Sequence, residues 1–152
     1  MKKKDQKLSL ALSYRMINIF FEDREIPNLD SEFFVSWLSQ VCLKENKKLN
    51  EVNLIFGSDD WLLEKNKEFL SHDYFTDIIT FDYCEGELVT GDLFISLDRV
   101  YDNAELNNVS RETELNRVVV HGVLHLCGYG DKSSEEEKLM REKEDTYLCM
   151  LK

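Results

Sequence analysis

The chain has few of the residues that interrupt or staple a fold. Its 152 residues include one proline and six glycines, too few for a linker-rich or low-complexity protein. No apolar run approaches the roughly 20 residues that a bilayer-crossing helix needs. The start, Met1-Lys-Lys-Lys-Asp5, lacks the apolar segment of a secretory signal. Together these absences predict a cytoplasmic protein without a membrane partner. The four cysteines, Cys42, Cys84, Cys127 and Cys149, form no C-x-x-C pair, so reduced, mostly structural thiols are expected. Basic charge is also short, with 19 Lys and Arg against 30 Asp and Glu and a net charge of −11. That excludes a generally basic surface coating nucleic acid but leaves room for a local groove. Lys2–Lys4 and Lys44–Lys48 are the densest positive segments, and short runs of this kind are more often solvated ends than binding patches. With 43% apolar residues, a chain of this length is expected to form one domain over residues 1–152, with a core that needs no disulfides.

What is present is concentrated in His121-Gly-Val-Leu-His125-Leu-Cys-Gly128-Tyr-Gly-Asp131. An α-helix advances about 100° per residue, so His121 and His125 lie about 40° apart on one face and can bind one ion. Gly128 can take the left-handed conformation that ends a helix. Asp131 then arrives where the chain has turned back. The spacing H-x-x-x-H-x-x-G-x-x-D repeats the metzincin arrangement with Asp as third ligand. Two imidazoles, a carboxylate and a water make an acceptable open zinc site, which suits catalysis more than structure. Gly122 stands where a zinc peptidase carries its glutamate base. Two hydrogen-bonded core histidines are the competing reading of the pair. Cys127 points about 160° from His125 and is read as packing.

Around this motif the pattern predicts an α+β domain. Strands are expected over Met16–Phe21, Val52–Phe56, Asp77–Asp82 and Leu88–Ser96, with Glu85-Gly86-Glu87 as a hairpin turn between the last two. Helices are expected from about Asp30 to Glu45, and from Ser58 through Phe69. A region around Val100–Ala104 leads to the motif helix, about Arg111 to Cys127. Ser133-x-x-Glu136 is a capping box that should open a last helix just past Asp131. The first three strands, separated by helices, should run parallel and the fourth antiparallel, giving a four-stranded mixed sheet packed with helices and a zincin-like metal helix.

These pieces resemble the YbeY family, bacterial single-strand-specific endoribonucleases and ribosomal RNA maturation factors. The family signature is similar to H-G-x-L-H-L-x-G-Y-D-H, which His121–Tyr129 match. Thr76–Phe81 is similar to its T-D-V-L-S-F and Gly91–Ser96 to its G-D-I-x-I-S, and Met140 and Glu144 fall where its last helix carries Met and Glu. The resemblance spans about residues 50 to 150. It implies a metal held by His121, His125 and Asp131, although the family usually has His in the third place and Asp where Gly130 stands. The donor set as a whole suits zinc, and the carboxylate in the third place shifts the preference toward harder ions, with Mn or Fe as alternatives. The family's phosphate-contacting Arg aligns with Leu70, leaving Lys67, His72, Arg117 and Lys132 as candidate sources of charge.

The implied activity is metal-dependent hydrolysis of single-stranded RNA, in 16S rRNA 3′-end maturation and ribosome quality control. The ribosome or its proteins are possible partners and DNA is not an expected substrate. Catalysis would run through His121, His125 and Asp131, with a bound water or the ribose 2′-hydroxyl as nucleophile. Asp77 and Asp92 are candidates to orient ligands or waters, or are simply strand-end and turn residues. Two other functions fit the residues: a zincin-like peptidase using a base from elsewhere, such as Glu144, and a non-catalytic ribosome assembly factor with a structural metal.

Overall fold

In the computed structural model, residues 16–152 are described. Lys2–Lys4 lie outside them. The elements run β1 (Ile17–Phe21), α1 (Ser31–Lys44), β2 (Lys48–Gly57), α2 (Asp59–Leu70), β3 (Ile78–Asp82), β4 (Leu88–Ser96), α3 (Leu97–Leu106), α4 (Arg111–Leu126) and α5 (Ser134–Cys149). Each of the five described helices starts on a side-chain cap: Asp30, Ser58, Ser96, Ser110 and Ser133 each accept a backbone N–H of the first turn. Such caps satisfy donors that no helical carbonyl reaches. Helix α3 starts this way, in the region the sequence pattern left unassigned.

The sheet order is β1-β2-β4-β3. Strand β2 is parallel to β1 and to β4, whereas β3 is antiparallel to β4. This corrects the expected directions: β3, not β4, is the antiparallel strand. A tight hairpin, with Gly86 at φ 58°, forces β3 and β4 to oppose each other. The longer strand, β4, then takes the inner place, because Val89, Leu93 and Ile95 alternate as buried residues and pair along β2 from Leu88 to Ser96. Strand β3 is left at an edge.

The main core lies between one face of the sheet and helices α1, α4 and α5, and joins Phe34, Leu38, Val52, Leu54, Leu93, Val119, Val123 and Tyr147. Helix α2 covers the other face, where Trp61 packs on Phe94 and Phe69 on Phe81. Beyond its exposed first turn, helix α4 is buried except for a partly open stripe through Arg117, His121 and His125. Gly122 lets it approach the β3–β4 hairpin: a Cβ there would stand 2.8 Å from Ile78 and Leu93 side-chain atoms. No helix among the described residues is long and apolar enough to cross a membrane.

Candidate metal centre

The stripe on α4 ends in a Schellman turn. The Gly128 N–H donates to the His125 carbonyl and the Tyr129 N–H to the Leu124 carbonyl, both at 3.0 Å, with Gly128 at φ 107°. Only a residue without a Cβ adopts that conformation cheaply. The chain then reaches Asp131 and is clamped again at Ser133. The Ser133 hydroxyl accepts the Glu136 N–H, and the Glu136 carboxylate accepts the Ser133 N–H, each at 3.1 Å. Residues 128–132 are thus held between two helix ends.

This places Asp131 over the two histidines. His121 Nε2 and His125 Nε2 are 3.0 Å apart, and Asp131 Oδ2 lies 3.3 Å from the first and 3.2 Å from the second. The outer nitrogens fix the protonation pattern. His121 Nδ1–H donates to Glu144 Oε2 at 2.7 Å, and His125 Nδ1–H donates to the Tyr129 carbonyl at 2.8 Å. A carboxylate and a carbonyl can only accept, so each neutral ring carries its proton on Nδ1 and presents a bare lone pair at Nε2. While both rings are neutral, two lone pairs and a carboxylate oxygen therefore face one another with no donor between them. Such a set is satisfied by a cation, and the donor chemistry fits one divalent ion with an open position. All three ligand atoms lie within 4.8 Å of one another.

The surroundings favour positive charge at this point. Burial alone would depress the His121 pKa, but the Glu144 hydrogen bond and the nearby Asp77 and Asp131 carboxylates outweigh it and raise it above the usual histidine value. Asp77 stands before β3, and its burial raises its own pKa despite the attraction of His121. Two clefts meet here, of about 690 Å³ and 560 Å³, and Asp77, His121 and Asp131 line both.

A family model described as Endoribonuclease YbeY matches residues 6–152. The chain belongs to the YbeY family. A relative from Flavobacterium psychrophilum, named Endoribonuclease YbeY, is 51% identical over 134 residues, covering 88% of this chain and 94% of its own. One of the same name from Porphyromonas gingivalis is 45% identical over 136 residues, 90% of each chain. The solution structure of TM1509 from Thermotoga maritima is similar at a TM-score of 0.61 and 31% identity, covering 87% of this chain and 86% of that one.

In this YbeY member the structure brings His121, His125, Asp131 and Asp77 together, and it leaves Asp92 elsewhere. Asp92 points to the α2 side of the sheet, where its Oδ1 accepts from Asn53 Nδ2 at 2.9 Å. The alternation of Gly91, Leu93 and Ile95 toward α4 carried that signal. Cys127 is partly buried and packs against the main core. Among the candidate phosphate contacts, Arg117 is occupied by Glu144 at 3.0 Å and Asp145 at 2.9 Å, and Lys67 by Asp73 at 3.5 Å. Lys132 and His72 line the smaller cleft together with Leu70. Glu144 is not a free base, because its two oxygens serve His121 and Arg117. The role of Glu144 as the partner of His121, and that of the Tyr129 carbonyl as the partner of His125, had no local sequence signal.

Proposed function

We propose that residues 1–152 form one cytoplasmic, metal-dependent endoribonuclease domain that hydrolyses single-stranded RNA. We assign it to 16S rRNA 3′-end maturation and ribosome quality control, with the ribosome or its proteins as partners. The observation that carries this reading is the convergence of His121 Nε2, His125 Nε2 and Asp131 Oδ2 without a donor, in a chain whose relatives are named endoribonucleases. A divalent cation, zinc in the first place and Mn or Fe as the alternatives, would supply the charge that polarises a phosphate oxygen and acidifies water.

The protein's residues do the rest. Glu144 and the Tyr129 carbonyl hold the Nδ1 protons and so aim both Nε2 lone pairs. Asp77, half-buried and close enough for its charge to act on His121, would hold a proton or orient a water at the junction of the clefts. Lys132 would offer a positive charge, and His72 a ring nitrogen, to a phosphate in the smaller cleft that both line. A peptidase mechanism lacks its base, since Glu144 is engaged and a side chain at position 122 would be driven into Ile78 and Leu93. The ligands sit at the end of α4, outside the main core, so chelation should leave a folded domain, unlike an assembly factor built around a structural metal.

The test is metal analysis of untagged protein purified without added metal, with His121→Ala and His125→Ala assayed in parallel for folding and cleavage of a single-stranded RNA. Loss of metal and cleavage from folded variants is expected; unchanged metal content would overturn the ligand assignment.

A further inference from the structure

The larger cleft extends from the metal centre to a wall made by α3 and α4, and this wall is not used by the proposed reaction. Its deepest charged group is Glu114, which is 4% exposed and lines the cleft. Among the described residues Glu114 Oε2 has no hydrogen-bond partner. A buried carboxylate oxygen without a donor is costly, so a protein retains one where something else supplies the donor. Burial raises the Glu114 pKa, opposed by the charges of Arg117 and Arg141. Lining the same cleft are Asn103 on α3 and Asn107, the residue that caps the C-terminus of α3. Amide and carboxylate side chains read the edges of nucleobases. Of the cations lining the cleft, Arg117 on α4 is paired with Glu144 and Asp145, which leaves Lys138 and Arg141 at its α5 rim. A phosphate near the metal centre and the α5 rim would leave the attached base facing the α3–α4 wall, and about 690 Å³ accommodates a nucleotide.

We propose that Glu114, with Asn103 and Asn107, forms a base-recognition subsite that accepts the exocyclic amino group of one nucleotide of the RNA bound across the metal centre. This rests on the ribonuclease reading. Glu114 is a specificity-determining residue, whose free oxygen discriminates bases that carry an amino donor from those that do not. A ribose hydroxyl could offer a similar donor, and the test separates the two.

The experiment uses the full chain in its metal-loaded form and single-stranded oligouridylate with one internal nucleotide varied in pairs: cytidine against uridine, adenosine against purine riboside, guanosine against inosine. A 2′-deoxy series is run at the same positions. At one fixed position relative to the cleaved bond, the amino-bearing member of at least one pair is expected to show kcat/KM about tenfold higher, and Glu114→Gln should collapse that ratio. Equal rates within every pair, or a ratio that survives in Glu114→Gln, would overturn the subsite while leaving the ribonuclease intact. The wild-type pairs decide alone if the variant does not fold. Discrimination that follows the 2′-deoxy substitution and not the amino group would overturn the base assignment. Cleavage of none of these RNAs would instead remove the ribonuclease reading, and the subsite with it.

Discussion

Two polar clusters meet at the turn that ends α4, and they differ in how their hydrogen-bond demand is met. On one side Glu45 Oε1 accepts from the Tyr129 hydroxyl at 2.5 Å, and its Oε2 accepts from the Tyr147 hydroxyl and from Lys143 Nζ. The charges balance and each acceptor has a donor. On the other side His121, His125 and Asp131 bring three acceptors together with none. The same backbone serves both: Tyr129 gives its hydroxyl to Glu45 and its carbonyl to His125. Helix α5 likewise sends Lys143 and Tyr147 one way and Glu144 the other. The first cluster is complete as protein and holds α1 against the turn and α5. The second, with both rings neutral, would be completed by a cation, as a binding site is and a structural network need not be.

The comparison breaks most sharply if a ligand is removed. His125→Ala should cost more than 100-fold in metal affinity, exceeding the roughly 10- to 100-fold typical of outer partners. Isothermal titration with the metal-stripped protein checks it; an unchanged affinity would mean that the acceptors are satisfied without a metal. Glu144→Gln comes next, with an expected loss of about 10- to 100-fold, because the amide can still occupy the space but no longer stabilises charge on His121. Cleavage should fall with metal occupancy and recover at high metal concentration, which a lost general base would not allow.

Much of this site was readable because its determinants are local. The i, i+4 histidines, the helix stop at Gly128 and the capping box at Ser133 lie within a short span, and backbone geometry alone brings them together. Long-range choices were less legible. The β3–β4 hairpin could be read, but not which strand would insert beside β2, since that depends on the pairing of Val89, Leu93 and Ile95 with residues far away in sequence. Asp92 is similar: alternation sets it on the face opposite Gly91 and Leu93, but that this face turns away from the histidines follows only once α4 is seated on Gly91 and Leu93, which leaves the alternative reading of a plain strand residue paired with Asn53. The partner of His121 comes from α5 and that of His125 from a main-chain carbonyl, which no side-chain pattern encodes.

The satisfied cluster should respond in stability, not in metal binding. Glu45→Ala leaves the Tyr147 hydroxyl, on a residue 2% exposed, without its acceptor and should cost about 1–3 kcal/mol, measured by urea denaturation, with metal affinity unchanged. Burial tends to raise the Glu45 pKa, but hydrogen bonds from Tyr129, Tyr147 and Lys143 outweigh it and hold the group below the usual carboxylate value. A depressed folded-state pKa contributes stability that is fully present above the unfolded value of about 4.3 and is lost as pH falls through the folded one. The wild-type protein should therefore lose this increment on acidification below about pH 4, and Glu45→Ala should show a shallower decline there. Equal slopes would place the pH dependence elsewhere.

The smallest effect tests what the clusters share. Ser133 caps α5, which supplies side chains to both, and its capping box also closes the segment that carries Asp131. Ser133→Ala should cost about 1 kcal/mol, or about 2–4 °C in Tm. Because the Schellman turn still fixes the other end of residues 128–132, and Glu144 is held by His121 and Arg117, metal affinity should change by less than the Glu144→Gln loss. A drop in affinity as large as that loss would show that α5 packing, not the donor-free geometry at the end of α4, sets the binding site.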